Sequence, residues 1–170
     1  MRIGLLSDTH GFMGADILEA LAGVDEIWHA GDLGSLEIIS LLQKVAPVVA
    51  VIGNIDSHAT FSSIPEEQVL RREGFKVLMR HIVGTPGRYD PIARTSINAE
   101  KPDILVCGHS HILRIERDAQ GILYMNPGAC GHHGTHQKRT LVRFNLEQKK
   151  IFGAEVVDLG ARGRKKSERP

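Results

Sequence analysis

Cysteines and long apolar runs are both scarce in this 170-residue chain. No stretch approaches the roughly 18–20 consecutive apolar residues of a membrane-spanning helix, and no apolar segment of the signal-peptide type opens the chain. We therefore expect a cytoplasmic protein that has no membrane partner. The two cysteines, Cys107 and Cys130, are too few for a disulfide framework, and we interpret both as reduced thiols in the protein core.

A strong net charge is also missing, because 21 basic and 20 acidic residues leave a formal net charge of +1. Residues 161–170 nevertheless hold five basic residues and one acid. The other 16 basic and 19 acidic residues give residues 1–160 a net charge of −3. We expect residues 1–160 to form one domain and residues 161–170 to form a disordered basic tail. The slightly acidic body argues against a nucleic-acid partner.

The order of the apolar segments predicts an α/β fold. Strand-like runs alternate with helical spacings in the first third of the chain, which is typical of parallel βαβ units. We expect a helix over residues 15–21, a second helix with Ser35 as its N-cap, and a strand buried on both faces over residues 48–52. The rest of the chain is rich in hairpins, with one helix between Pro91 and residue 101. One domain with two sheets is the economical interpretation.

Five of the predicted strands end in side chains that can ligate a metal ion. These side chains are Asp8 and His10, Asp32, Asn54, His81, and His109 with His111. Since ligands bind at the carboxyl ends of strands in open α/β sheets, we expect the seven side chains to converge. A glycine precedes three of them, and we expect it to take a positive φ that redirects the next side chain.

The donor types indicate which chemistry this site supports. Two carboxylates, one amide oxygen and four imidazoles without a thiolate suit divalent ions of the first transition row. Seven donors exceed the need of one ion with an open position, but they fit two ions that share a bridge. We therefore expect two divalent ions, Mn²⁺ in the first place, with Fe, Co, Ni or Zn as alternatives. Such a pair can clamp a phosphoryl group and supply hydroxide as the nucleophile.

These segments resemble, in order and spacing, the motifs of the calcineurin-like metallophosphoesterase superfamily. The matching segments are Ser7-Asp8-Thr9-His10, Gly31-Asp32, Gly53-Asn54, His81 and Gly108-His109-Ser110-His111, and Asn126-Pro127-Gly128 resembles the small bacterial and archaeal phosphodiesterase branch. The resemblance covers about residues 1–145. It implies a four-layer sandwich of two mixed β-sheets flanked by helices, with the site at the strand ends.

The resemblance also implies a distribution of the ligands between two metal ions. One ion takes Asp8, His10 and His111, the other takes Asn54, His81 and His109, and Asp32 bridges them. Among these residues we count Asp32, Asn54 and His109 as catalytic.

The chain departs from the family pattern at Ile55. The wider family usually has a histidine directly after the asparagine, where it helps to protonate the leaving group, and here Ile55 is followed by Asp56. Loss of one general acid normally costs roughly 10²–10⁴-fold in rate. We therefore expect aryl phosphodiesters to be hydrolysed far better than alkyl monoesters.

Two arginines stand near these motifs. Relatives often have Thr-His-Gly-His around the ligand His81, whereas this chain has Arg80 before it and Ile82 after it. The second histidine is absent, and Arg80 faces either the phosphate or solvent. Arg88 is a candidate phosphate clamp, with an ordinary surface arginine as the alternative.

The remaining histidines are His29, His58, His132, His133 and His136. We expect His29 to support the ligands or the core rather than to bind a metal. We interpret His58 as an exposed loop residue, with the role of substitute acid as the alternative. The other three are candidates for the pocket rim, and His133 or His136 for the missing acid.

Together these features favour a dinuclear phosphodiesterase that acts on small phosphate esters with metal-bound hydroxide. The alternative is a scaffold that keeps the fold but works by protein–protein interaction, as a eukaryotic trafficking subunit resembling this family does. A nuclease that uses the basic tail is a weaker alternative. The sequence leaves open the substrate, the native metal and the oligomeric state, a homodimer or homotetramer included.

Overall fold

The computed structural model describes residues 1–163, which form three helices and twelve strands. The helices are α1 (Ala15–Ala20), α2 (Leu36–Leu42) and α3 (Pro91–Glu100). The strands are β1 (Arg2–Leu6), β2 (Glu26–His29), β3 (Val48–Ala50), β4 (Glu67–Arg72), β5 (Phe75–Arg80), β6 (Gly84–Thr85), β7 (Arg88–Tyr89), β8 (Ile104–Val106), β9 (Leu113–Arg117), β10 (Leu123–Pro127), β11 (Lys138–Glu147) and β12 (Lys150–Ala161). Most of the predicted basic tail, residues 164–170, lies outside the described residues.

Ten of these strands form two five-stranded sheets. The first sheet has the order β12-β11-β1-β2-β3, in which β1, β2 and β3 run parallel and the other two pair antiparallel. The second sheet has the order β4-β5-β8-β10-β9, with β5, β8 and β10 parallel and antiparallel strands at both edges. Both sheets are therefore mixed, which confirms the predicted fold class.

Three apolar clusters show how the layers stack. Side chains of both sheets, including Leu5, Trp28, Val77 and Val106, form one buried cluster between them. Residues of α1 and α2 pack on the outer face of the first sheet. Residues of α3 pack on the outer face of the second. The result is the four-layer arrangement of helices, sheet, sheet and helix.

The helix ends follow the local sequence. The Ser35 hydroxyl accepts a hydrogen bond from the Glu37 backbone N–H, which caps α2 as predicted. Helix α3 begins with Pro91 after the capping carboxylate of Asp90, and its C-cap, Lys101, has a left-handed backbone conformation. Among residues 1–163, no helix combines the length and the apolar character needed to cross a membrane.

Strand β3 corrects one prediction. The apolar run at residues 48–52 yields a strand of only three residues that lies at the edge of its sheet, and Val48 and Val49 are half-buried. The Gln68 side-chain amide donates to the Ala50 carbonyl, and the Ile52 N–H donates to the Pro65 carbonyl. Polar groups from the following segment thus cover an edge that the apolar pattern made appear central.

The two cysteines lie in the core, as predicted. Both are buried and free, and burial raises the pKa of each thiol to about 12. The Cys130 thiol donates to the Thr140 carbonyl at 3.1 Å. These thiols therefore stay protonated near neutral pH and are not nucleophiles.

Candidate metal centre

All seven predicted ligands lie at the carboxyl ends of parallel strands. Asp8 and His10 follow β1, Asp32 follows β2 and Asn54 follows β3, all in the first sheet. His81 follows β5, and His109 and His111 follow β8, in the second sheet. The site therefore spans the ends of both sheets, which come together because the sheets pack face to face.

Four of these residues form what we call the first cluster: Asp8, His10, Asp32 and His111, whose donor atoms all lie within 4.8 Å of one another. His111 Nε2 is 3.1 Å from Asp8 Oδ1 and 3.4 Å from His10 Nε2. Ligand atoms about 2.1 Å from a common ion are roughly 3 Å apart, so these spacings fit a metal site.

The second cluster consists of Asp32, Asn54, His81 and His109. His81 Nε2 is 3.3 Å from Asp32 Oδ1, and His109 Nδ1 is 2.8 Å from Asn54 Oδ1. Asp32 belongs to both clusters, because its other oxygen, Oδ2, is 3.5 Å from His10 Nε2. One carboxylate thus has an oxygen toward each cluster, which is the arrangement that a bridging ligand requires.

The hydrogen bonds around the ligands fit a metal as well. His81 Nδ1 is 2.7 Å from the Ala30 carbonyl, which can only accept, so Nδ1 carries a proton and Nε2 is the nitrogen that faces the site. His81 Nε2 and Asp8 Oδ1 are buried and have no hydrogen-bond partner of good geometry. Buried polar atoms without partners are costly, and a metal ion would satisfy both.

The backbone of the site is strained. Five ligands adopt positive φ, namely Asp8, His10, Asp32, His109 and His111, with values from 48° to 66°. Such conformations are unfavourable for non-glycine residues and persist where surrounding contacts impose them. The sequence pattern predicted positive φ for the glycines instead, and among the three only Gly31 has it, at +96°.

Gly53 and Gly108 serve a different purpose, which corrects that prediction. A Cβ atom on Gly53 would lie 2.1 Å from Asp32 Oδ1, and one on Gly108 would lie 2.0 Å from Ser7 Oγ. Glycine is required at both positions because the ligand loops approach the backbone too closely for any side chain.

His29 supports the ligands from below and does not join them. It is fully buried, its Nδ1 accepts from the Gly31 N–H, and its Nε2 is 3.0 Å from Thr9 Oγ1. Burial lowers its pKa to about 4, so the ring is neutral. The ring thereby joins the loop that carries Asp8 to the loop that carries Asp32.

Asp56 is a supporting residue whose role the sequence did not reveal. Its buried carboxylate accepts hydrogen bonds from the backbone N–H groups of Leu33, Gly34 and Gly53 at 2.8–3.0 Å. These three bonds tie the loop after Asp32 to the loop before Asn54. The only signal in the sequence was an aspartate directly after Ile55, because the residues that donate hydrogen bonds to it are 3 to 23 positions away.

Asn126 supports the predicted histidine ligands after β8 in the same way. Its side-chain amide donates to the Gly108 carbonyl at 2.7 Å and to Ser110 Oγ at 3.1 Å. These bonds hold the loop that carries His109 and His111. The Asn126-Pro127-Gly128 segment therefore has a structural explanation within this site.

The pKa values of the histidines at the site are shifted in different directions. The Asp8 carboxylate raises the pKa of His111. Burial disfavours a charge on His81, but Asp32 and Asp8 beside it raise its pKa overall. Burial lowers the pKa of His10. Two of the imidazoles thus hold a proton more strongly than usual and must release it when a metal binds.

Two recesses meet at the ligands. The first, the mouth, has a volume of about 280 Å³ and is lined by residues that include His10, Asp32, Asn54, His109 and His111. The second, the Arg80 recess, has about 250 Å³ and extends from Asn54 and His81 to Arg80, His58 and Glu66.

The other candidate residues fall at different distances from the ligands. His133 lines the mouth with its ring centroid 4.6 Å from that of His10, and the His136 ring lies 5.3 Å from His111. His132 packs against Phe12 instead. His58 is exposed and pairs with Glu66 at 3.0 Å.

The two arginines also separate. Arg80 is largely covered, lines its recess, and donates to Glu67 Oε2 at 3.4 Å. Arg88 lies exposed on the β6–β7 hairpin and borders neither recess. The position of Arg88 favours an ordinary surface arginine over a phosphate clamp.

The chain is similar in sequence and fold to known proteins. Residues 1–149 match the family model of the calcineurin-like phosphoesterase superfamily domain. A probable metallophosphoesterase of Methanocaldococcus jannaschii is 33% identical over 135 residues, which cover 76% of this chain and 68% of that protein.

Two solved structures share the fold. A novel archaeal phosphodiesterase has a TM-score of 0.71 at 23% identity and covers 92% of this chain and 100% of its own. Vps29 of Entamoeba histolytica, in complex with Zn²⁺, has a TM-score of 0.73 at 19% identity and covers 94% of this chain and 100% of its own.

Proposed function

The chain belongs to the calcineurin-like phosphoesterase superfamily, and on this premise we propose that it is a dinuclear-metal-dependent phosphodiesterase of small phosphate esters. The observation that carries the proposal is the position of Asp32, whose two oxygens lie 3.5 Å from His10 and 3.3 Å from His81. A carboxylate placed between two clusters of imidazoles can hold two ions as one centre.

The donor set supports divalent transition metals. Mn²⁺ is our first choice, with Fe, Co, Ni or Zn as alternatives, because carboxylate, amide and imidazole donors suit all of them. When bound, such ions lower the pKa of a water so that it can attack phosphorus, and they neutralise the phosphoryl oxygens.

The side chains of this protein supply position and access. Asn54 and His109 are the exposed members of the seven ligands and lie within hydrogen-bonding distance of each other in the mouth. A phosphate that enters the mouth meets these two residues first, and the buried Asp32 also lines the mouth. This supports the assignment of all three as catalytic residues.

The two recesses favour diesters over monoesters. A phosphodiester has two organic substituents, and the mouth and the Arg80 recess both open beside Asn54. One substituent can occupy each recess while the phosphate lies between them. A monoester would leave one recess without a substituent and lose the contacts made there.

The mouth also determines which leaving groups are suitable. Ile55 lines it, is 46% exposed and has no proton to donate. Of the three histidines proposed as substitute acids, His133 is the one that lines the mouth, so its replacement tests that role. We expect aryl phosphodiesters, whose leaving groups need no protonation, to be the best substrates.

The direct test pairs metal analysis with hydrolysis. We expect purified protein with Mn²⁺ added to hydrolyse an aryl phosphodiester, and the Asn54→Ala variant with Mn²⁺ added to lose that activity. Arg88→Ala, outside both recesses, is the matched control and should keep it. Bound metal without turnover in the wild type would contradict the proposal.

The scaffold alternative has one observation in its favour. Ile55 replaces a protic residue with an exposed apolar one at the mouth, as a binding surface would. Metal-loaded protein that hydrolyses neither aryl diesters nor monoesters would favour the scaffold. A cytoplasmic location remains part of our proposal, and cell fractionation tests it.

A further inference from the structure

Strand β9 ends the second sheet with an open apolar edge. It pairs with β10 on one side, and within residues 1–163 no strand pairs with its other side. Leu113 and Ile115 on this strand are 37% and 38% exposed, and Ile112 just before it is 63% exposed. Adjacent large apolar side chains in contact with water at a sheet edge indicate a surface that associates.

The register explains why these side chains are apolar. Ile115 lies opposite Met125, which belongs to the cluster between the two sheets, and Leu113 lies opposite Pro127. Leu113 and Ile115 therefore continue the inter-sheet surface past its covered part. The apolar row faces in the direction of the core but has no layer above it.

The other sheet edges are covered or interrupted, whereas β9 has only its charged side chains Arg114, Glu116 and Arg117 as protection. Side-chain and backbone groups of residues 65–68 cover β3. Two register shifts and the positive φ angles of Gly153 and Gly160 interrupt β12. On β4, Arg72 bonds back to Glu26 on the first sheet. Strand β9 has no glycine, proline or register shift along its five residues.

The sequence of β9, Leu-Arg-Ile-Glu-Arg, is self-complementary about its centre. We propose that a second copy of this chain pairs antiparallel with β9 across a two-fold axis at Ile115. In that register Ile115 faces Ile115 of the second copy, and Arg114 faces Glu116 of the second copy, twice by symmetry. Leu113 faces the aliphatic part of the Arg117 side chain of the second copy.

This pairing uses both faces of the strand. Leu113, Ile115 and Arg117 lie on one face, where the four apolar side chains of the two copies cover one another. Arg114 and Glu116 lie on the other face, about two-fifths exposed, and already form an ion pair within the chain at 2.8 Å. Opposite charges directly across an antiparallel pair stabilise it, and like charges destabilise it. The second sheet of each copy then joins that of the other copy, which gives one continuous sheet of ten strands.

The first test measures mass in solution by analytical ultracentrifugation of the full chain. We expect the wild type to have about twice the 18.7 kDa chain mass. Ile115→Lys should be monomeric with an unchanged circular dichroism spectrum, because it puts two lysines face to face. Val69→Lys, at a similarly exposed site on edge strand β4, should stay dimeric. A monomeric wild type, or dissociation by Val69→Lys alone, would overturn the proposal.

The second test fixes the register by cross-linking. Ile115→Cys places two thiols directly opposite each other, where Cα atoms are about 4.5–5.5 Å apart and a disulfide can form. Glu116→Cys places them about 8 Å apart, too far for a disulfide. The native cysteines are buried and do not compete. Efficient cross-linking at 116 but not at 115 would contradict this register.

Charge reversal provides a rescue experiment. Arg114→Glu alone and Glu116→Arg alone should each weaken dimerisation at least tenfold, since like charges then face each other. The double variant restores complementarity and should return to the wild-type dissociation constant. A double variant as weak as the single variants would count against paired strands.

Discussion

The two clusters of the metal centre differ in depth. In the first, Asp8 is fully buried and His10 and His111 are half-buried, all within 4.8 Å of Asp32. In the second, His81 is buried, but Asn54 and His109 are exposed. Buried, preassembled donors bind an ion with less rearrangement than exposed ones. We infer that the first cluster binds its ion more tightly and that the second is completed only when metal or substrate is present.

Replacing Asp32, which belongs to both clusters, should impair metal binding in both and so remove the difference in affinity between them. Asp32→Asn changes the proposed bridging carboxylate to an amide, which cannot bind two ions equally. Two ions bound as proposed would contribute several kcal/mol of transition-state stabilisation, so hydrolysis of an aryl phosphodiester should fall roughly 10³-fold or more. Steady-state kinetics at saturating Mn²⁺ measures the loss, and a fall below tenfold would show that Asp32 does not join two ions.

The support beneath the first cluster should make stability depend on pH. The pKa of His29 is about 4 in the folded protein against 6.5 when exposed, so the unfolded chain takes up a proton first as the pH falls. His29 should therefore lower the free energy of unfolding by about 3 kcal/mol between pH 7 and pH 4.

Urea denaturation of metal-free wild type and His29→Gln at several pH values measures this contribution. The variant should show the smaller change with pH, because glutamine does not titrate. Identical pH dependence in both proteins would contradict the assignment.

Asp56, which links the loops of the two clusters, should affect metal binding in the second cluster more than in the first. Asp56→Asn leaves one of three backbone N–H groups facing an amide NH₂, which loosens the loops around Asp32 and Asn54. Changes at such supporting positions typically cost roughly 10–100-fold in metal affinity.

Isothermal titration calorimetry with Mn²⁺ should show this loss in the weaker binding step and a smaller one in the tighter step. Asp118→Asn, which removes a carboxylate from the distant β9–β10 turn, is the control. An equal loss in both steps would show that the clusters are one rigid unit.

The dependence of the rate on the leaving group should change when His133 is replaced. Ile55 cannot act as a general acid. If His133 does so instead, His133→Ala should slow the hydrolysis of alkyl diesters roughly 10²-fold and leave that of aryl diesters nearly unchanged. Equal effects on both substrates would argue for a binding role in the mouth instead.

The positions of the candidate ligands at strand ends could be predicted from sequence because the pattern is local. Each candidate ligand lies within five residues of the end of a strand, and the pairs Asp8 with His10 and His109 with His111 repeat one spacing. The N-cap at Ser35 and the β4–β5 hairpin are local in the same sense. Short-range preferences of the backbone are sufficient to define such features.

What the sequence could not supply depends on distant partners. Strand β3 has the composition of a central strand, and only the sheet order places it at an edge. Gly53 is required by the approach of Asp32, 21 positions earlier, and not by its own φ. Asp56 likewise acts on Leu33 and Gly34, which no pattern around residue 56 reveals.

The central claim is that Asp32 joins two unequal ion sites into one phosphodiesterase centre. Titration of metal-free protein with Mn²⁺, with bound metal and aryl phosphodiester hydrolysis followed in the same samples, tests it most directly. We predict two ions per chain, a tighter one that gives little activity and a weaker one whose binding brings the activity. One ion per chain, or full activity with the first ion alone, would contradict the account.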